Sequence, residues 1–332
     1  MPQGTFAGGV VGTGTPESCT EAALDSALVG GGLVTFNCGL EPVTITITST
    51  TTIAQDTTID GGGRMTISGG GTVGVFAVTR ASFPVLNLAI ANGRGHNDGG
   101  GSANDSGRVT VRNSTLVGNS TGTCSGIPGC GVGGIFSLGG VATVTGSALA
   151  ANTAHLAGGG IFSPNSIVVV PNSTLAGNSG DGIAVGGVDG GTLTATNSTF
   201  WGNAARPGHG GAITVFGRGP AIVSNSIMVN STAPNCDGNI TDGGHNLQWP
   251  GNDCGETIPS ADPLLDPDNL EDNGGQVTEV SCNCASTPDF FDSCAVGACS
   301  CPPEGEPRHL NACDCGEGKC FNGSACVARV EP

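Results

Sequence analysis

The sequence predicts an all-β protein, a parallel β-helix carrying a short N-terminal capping helix and a Cys-rich C-terminal tail. Three observations lead there. A phrase returns along the chain: Asn113-Ser-Thr-Leu-Val-Gly-Asn119, Asn172-Ser-Thr-Leu-Ala-Gly-Asn178 and Asn197-Ser-Thr-Phe-Trp-Gly-Asn203. With weaker copies at Asn87, Gly146 and Asn225, the first-position spacings are 26, 33, 26, 25 and 28 residues, a period that marks a stacked solenoid. Around each phrase, Val, Ile and Thr alternate with the period of two that a strand requires. Sixty Gly, no Tyr and a single Lys (Lys319) describe tight corners and short strands and leave little room for helix.

Taken in order, residues 1–16 show no periodicity and read as a disordered segment. Residues 17–56 read as an N-terminal cap. Ser18-Cys-Thr-Glu21 has the form of a capping box, followed by Ala23, Leu24, Ala27 and Leu28 at helical spacing, with Gly30 closing the helix. A solenoid end exposes unpaired strand edges, so a cover is expected there. Val43–Thr48 alternates as a strand, and regular coils are expected over 57–276. In each coil the residues two and four before the lead Asn are apolar and point inward: Val109/Val111, Ala142/Val144, Val168/Val170, Leu193/Ala195 and Ala221/Val223. A second strand follows a Gly pair, as in Gly134-Ile-Phe136, Gly160-Ile-Phe162 and Gly211-Ala-Ile-Thr-Val215. Rungs of a parallel coil are expected about 4.8 Å apart.

Charge and cysteine bound the function. The formal net charge is -17, yet residues 57–230 hold five acids against seven Arg, while residues 231–280 hold ten acids and no basic residue. A nearly neutral body with an acidic C-terminal third excludes the basic stripe that nucleic acid needs. No apolar run is long enough for a transmembrane segment. Fifteen Cys, nine of them between Cys282 and Cys326, place the protein in an oxidising compartment. The chain reads as exported, extracellular or on a bacterial cell surface, and its start, without a signal peptide, as that of a mature or truncated form. Short loops pair Cys19 with Cys38, Cys124 with Cys130 and Cys236 with Cys254 as structural disulfides. Residues 277–332 read as a disulfide-rich tail, too poor in large apolar residues to bury a core. Its Cys-x-Cys spacings suit zinc less well than Cys-x-x-Cys would, so no metal site is assigned.

The Gly-Gly-Ala-Ile of 210–213 and the Phe-Trp-Gly-Asn of 200–203, with their variants, resemble motifs of bacterial right-handed parallel β-helix proteins of the pectin-lyase-like fold. Polymorphic outer-membrane proteins and related adhesins carry the same phrases. The stretch from Cys19 to Gly63 resembles the N-terminal cap of this group, and Asn235 to Leu247, Asp262-Pro-Leu-Leu265 and Asp272-Asn-Gly-Gly275 resemble its C-terminal end. The resemblance covers residues 17–276 and implies the fold, its right hand and display at a cell surface. It does not imply one activity, since this scaffold hosts lyases, hydrolases and adhesins.

Candidate chemistry is sparse. Asn-x-Ser/Thr triplets at 113, 119, 172, 197 and 230 have the form of glycosylation sites, but their place in the repeat favours corner Asn stacked into a ladder. Three residues past the closing Asn of successive coils lie His155, Asp181 and Arg206, in loops whose lengths vary while the rungs do not. If these loops stack in register, they offer a catalytic His, carboxylate and Arg; the alternative is a solvated polar corner. Phe136 and Phe162 fall at equivalent outward positions and read as a ligand-binding platform for a sugar ring, the alternative being that the insertion carrying Cys124 and Cys130 covers them. Gly208-His-Gly210 resembles one element of polygalacturonases, without the paired-Asp segments that accompany it. No cofactor is implied; the acids of 253–272 read as a loose Ca2+ site or a solvated acidic turn. The expectation is a non-catalytic, adhesin-like scaffold binding a polysaccharide or a surface protein, with a polysaccharide lyase or glycoside hydrolase as the alternative.

Overall fold

A computed structural model describes residues 8–96, 99–122, 131–155, 157–232 and 234–263, together with the strands Leu265–Glu271, Glu279–Cys282, Lys319–Phe321 and Cys326–Ala328. The body is a parallel β-solenoid of about eight turns. Each coil presents three faces. The first carries strands such as Arg108–Arg112, Val141–Thr145, Ile167–Pro171 and Thr192–Thr196; the second carries Thr115–Val117, Ala148–Ala150, Thr174–Ala176 and Thr199–Trp201. Two long bent strands, Thr57–Ser68 and Ser82–Ala91, join these faces into one 17-stranded sheet. The third face is a separate eight-stranded sheet that includes Ile135–Leu138, Ile161–Pro164, Ile183–Gly187 and Ile213–Gly217.

The inward apolar positions stack as the alternation predicts. On the second face Leu116, Leu149, Leu175, Phe200 and Met228 lie in register and are fully buried. Burying side chains of this size contributes about 1.5–3 kcal/mol each. The stack ends at Gln248, also fully buried, whose amide is satisfied by Cys254 N–H and by the carbonyls of Gly255 and Ile258. A polar plug thus closes the apolar column, pinned by the disulfide between Cys236 and Cys254.

Corner chemistry repeats with the same steps as the sequence. The lead Asn residues at 87, 113, 172, 197 and 225 take φ of 47–52°, and Gly146 takes 55° where Asn is missing. Only residues that tolerate left-handed backbone serve here. Asn172, Asn197 and Asn225 form an exposed side-chain ladder. The closing Asn119, Asn152, Asn178 and Asn203 form a second one, fully buried, each Nδ2 donating to the next Oδ1 at 2.9–3.0 Å. Each Oδ1 also accepts the backbone N–H of the preceding Asn. Between them runs a buried series in which the N–H of Ser114, Ser147, Ser173 and Ser198 donates to the hydroxyl of the next corner Ser. Asn119 is therefore an internal strut and no glycan acceptor.

The N-terminal end differs from expectation in detail. The helix spans Glu21–Leu28, and its N-cap is Thr20, whose hydroxyl accepts from Ala23 N–H at 3.2 Å. Ser18 ends a 3-10 turn instead, accepting from Thr13 N–H and donating to Thr15 O. Glu21, freed from a capping box, accepts from Thr48 and Ser49 and ties the helix to the coil. Part of the segment expected to be disordered is ordered: Val10–Val11 pairs in parallel with Thr35 and Phe36, and Val11 is fully buried. A strand there covers the edge that the first rung would otherwise expose. Parallel pairing begins within the segment read as cap, since Gly32–Phe36 and Val43–Thr46 both pair with Thr57–Ser68. Cys19 and Cys38 are bridged, whereas Cys124 and Cys130 lie outside the described residues. The last coil strand is Leu247–Trp249, and Leu265–Glu271 pairs antiparallel with Glu279–Cys282 across the expected boundary at 276. Most of the tail lies outside the described residues.

Candidate functional site

One residue past the closing Asn the coils stay in register, with Ser120, Thr153, Ser179 and Ala204 forming a column of parallel bridges. The chain then enters the third face through the Gly pair. Gly159 N–H donates to Gly180 O, Gly160 N–H to Asp181 O and Ile161 N–H to Gly182 O, so Asp181 stands beside Gly159 in the first Gly position. That position asks for glycine. A Cβ on Gly133 would lie 2.5 Å from Gly159 O, one on Gly159 2.6 Å from Ser179 O, and one on Gly211 2.4 Å from Ser231 Cβ. Asp181 houses its side chain by taking φ of 73° and turning its N–H to Ala204 O. Left-handed backbone at a non-glycine residue costs on the order of 1–2 kcal/mol.

The side chain so placed is fully buried. Its Oδ2 faces His209 Nδ1 at 3.2 Å, and its Oδ1 has no hydrogen-bond partner. Burial pushes the carboxyl up from an ordinary 3.8 to about 6, against the opposing pull of His209. The Gly158 N–H and the Thr214 hydroxyl favour the charged form more weakly. The Thr214 hydroxyl is itself engaged by Gly210, accepting from its N–H and donating to its carbonyl.

His209 reaches the carboxylate from the next coil because a tight turn aims it. In Arg206-Pro-Gly-His209 the His209 N–H donates to Arg206 O at 3.1 Å, and Gly208 has φ of 83°. Pro second and a left-handed Gly third is the pattern of a type II turn. The imidazole is 32 % exposed, so part of the ring meets solvent.

Of the three corner residues singled out in the sequence, the carboxylate pairs with His209, and His155 and Arg206 are exposed side chains of the neighbouring corners. Phe136 and Phe162 do occupy adjacent outward positions of the third face. Their rings stack at 6.1 Å between centroids, and Phe162 stacks in turn on Phe216 at 5.4 Å. Phe216 lies opposite Gly186, and Ala184 lies opposite Phe162, so small residues on the intervening strand let the two rings meet. All three are half-buried. The row and the dyad flank one residue: a Cβ on Gly158 would lie 2.5 Å from Phe162 Cβ, while its N–H faces Asp181.

The sequence singled out His209 only within Gly208-His-Gly210 and did not pair it with Asp181, and it did not single out Phe216. The signal for the pairing was available in the Gly pair, where Asp181 replaces a residue whose missing side chain the packing needs. Among the described residues, no three His, Cys, Asp or Glu side chains gather to hold a metal ion, and no helix is long and apolar enough to cross a membrane. No family model matches the chain, and the comparison with curated proteins gives no match.

Proposed function

We propose that this chain is an exported, surface-acting scaffold of pectin-lyase-like kinship that engages a polysaccharide along its third face. The observation that carries the reading is the row Phe136, Phe162 and Phe216, three phenyl rings set on the outside of a rigid sheet and left half-exposed. Apolar rings turned toward solvent favour contact with the apolar faces of sugars. The disulfides Cys19–Cys38 and Cys236–Cys254 support export. A lyase or glycoside hydrolase in which Asp181 itself touches the sugar would need that carboxyl at the surface, and its burial favours the binding reading.

The test is retention of the full chain on immobilised acidic and neutral polysaccharides, with and without Ca2+, while new reducing ends and unsaturated uronides are followed. Retention that falls several-fold in Phe162→Ala is expected. Passage through every column without delay would sink the reading.

A further inference from the structure

We propose that His209 is the general base and general acid of an ester-hydrolysing centre, acting on an O-acylated glycan held against the third face, with Asp181 as its positioning residue. The inference deepens the polysaccharide reading and rests on it for the identity of the substrate.

Three features of the corner carry it. Asp181 occupies a glycine position at a left-handed φ, buries a carboxylate and leaves Oδ1 unpartnered, so it costs stability three ways. Nothing in the packing of the coil calls for it, since the same position in the coils on either side is Gly159 and Gly211. The titratable partner it gains is His209, beside weaker contributions from the Gly158 N–H and the Thr214 hydroxyl. A buried carboxylate accepting from Nδ1–H fixes the tautomer in which Nε2, the nitrogen away from Asp181, carries a lone pair, and the ring is 32 % exposed. The dyad therefore presents a single oriented base to solvent.

The chemistry open to such a base is narrow. Glycosidic cleavage by two carboxylates requires both to reach the sugar, and Asp181 is sealed beneath the turn. An ester needs only one group that first takes and then returns a proton. Water adds its oxygen to the acyl carbon while Nε2 removes its proton. As the tetrahedral intermediate collapses, the acyl C–O bond breaks and the imidazolium returns that proton to the departing sugar oxygen. The products are a carboxylic acid and a free sugar hydroxyl, and water is the only co-reactant. Arg206, exposed three residues earlier on the same turn, is the cation that the turn supplies for the developing oxyanion. Phe162, across Gly158 from the dyad, seats the ring that bears the ester.

The experiment follows nitrophenolate from 4-nitrophenyl acetate and free acetate from acetylated xylan, using the full chain, His209→Gln, Asp181→Asn and His245→Gln. Retention on acetylated xylan is measured in parallel, and thermal melting verifies that each variant is folded. The expected result is turnover that falls about 100-fold or more in His209→Gln and is unchanged in His245→Gln, an exposed imidazole that controls for adventitious catalysis. Asp181→Asn is expected to lower kcat with KM held and to move the acid limb of the pH–rate profile; a profile identical to the parent's would overturn the positioning role. Absence of turnover on both esters, or a His209→Gln rate equal to the parent's, overturns the centre. Retention without turnover overturns the ester chemistry and leaves the polysaccharide reading standing. Turnover of the aryl ester with neither retention on xylan nor acetate release from it does the reverse.

Discussion

His209 Nδ1 and Asp181 Oδ2 meet at 3.2 Å across two successive coils, one side chain fully buried and the other a third exposed. Each of the two predictions that concern Asp181 isolates a different cost of that contact.

Asp181→Asn removes the buried charge while keeping a residue that tolerates left-handed backbone. The folded-state pKa is raised, so the carboxyl contributes its full relative stability below its unfolded value near 3.8 and loses it as pH rises through about 6. A rise from 3.8 to about 6 corresponds to about 3 kcal/mol against the ionised form at neutral pH. Melting curves should therefore show the Asn variant matching the parent near pH 4, exceeding it increasingly as pH rises through about 6, and holding a level advantage from there to pH 8. A constant difference across that range would show that charge burial is not the cause.

Asp181→Gly and Asp181→Ala separate backbone strain from charge. Both delete the carboxylate, but only Gly accepts φ of 73° without penalty. Denaturant unfolding should place the Ala variant about 1 kcal/mol or more below the Gly variant. Equal midpoints would argue that the left-handed conformation relaxes when the carboxylate is absent.

Asn178→Ala should cost about 2–4 kcal/mol, because it strands the buried Asn152 N–H and amide as well as the Leu149 carbonyl. Asn172→Gly, on the exposed ladder, should stay within about 0.5 kcal/mol. Chemical denaturation of the two variants side by side checks the contrast between the buried and the exposed ladder.

Removing the bridge at the C-terminal end by Cys236→Ala with Cys254→Ala should cost about 3 kcal/mol, the loop spanning 18 residues. Gln248 relies on the backbone that this bridge holds, through Cys254 N–H and the carbonyls of Gly255 and Ile258. Amide exchange should accelerate at Leu247–Trp249 and stay slow at Thr174–Ala176; uniform acceleration would mean that the bridge stabilises the coil as a whole.

The coil itself was legible because its residues obey one rule repeatedly. Leu116, Leu149, Leu175 and Phe200 fall at the same place in the returning phrase, and the closing Asn sits at its end, so alignment of the phrases is alignment of the rungs. The buried Ser series was less legible, since a Ser beside a corner Asn reads equally well as a solvated turn. Counting three residues past each Asn placed His155, Asp181 and Arg206 together, but register survives for only one residue beyond that Asn. The pairing of His209 with Asp181 escaped because His209 stands in a turn set by Pro207 and Gly208, which belongs to no repeat. Phe216 escaped because it lies two positions later on its strand than Phe162 does, and meets it only where Ala184 and Gly186 leave space.

The buried Asn ladder closes over steps of 33, 26 and 25 residues with nearly the same hydrogen bonds. It reads the corner and is blind to whatever length of chain lies between one closing Asn and the next Gly pair. A whole coil can therefore be duplicated, or its connecting segment exchanged, without any neighbour losing its place. Such a molecule can gain novelty by tandem copying, growing longer along its axis while every new segment emerges on the same side.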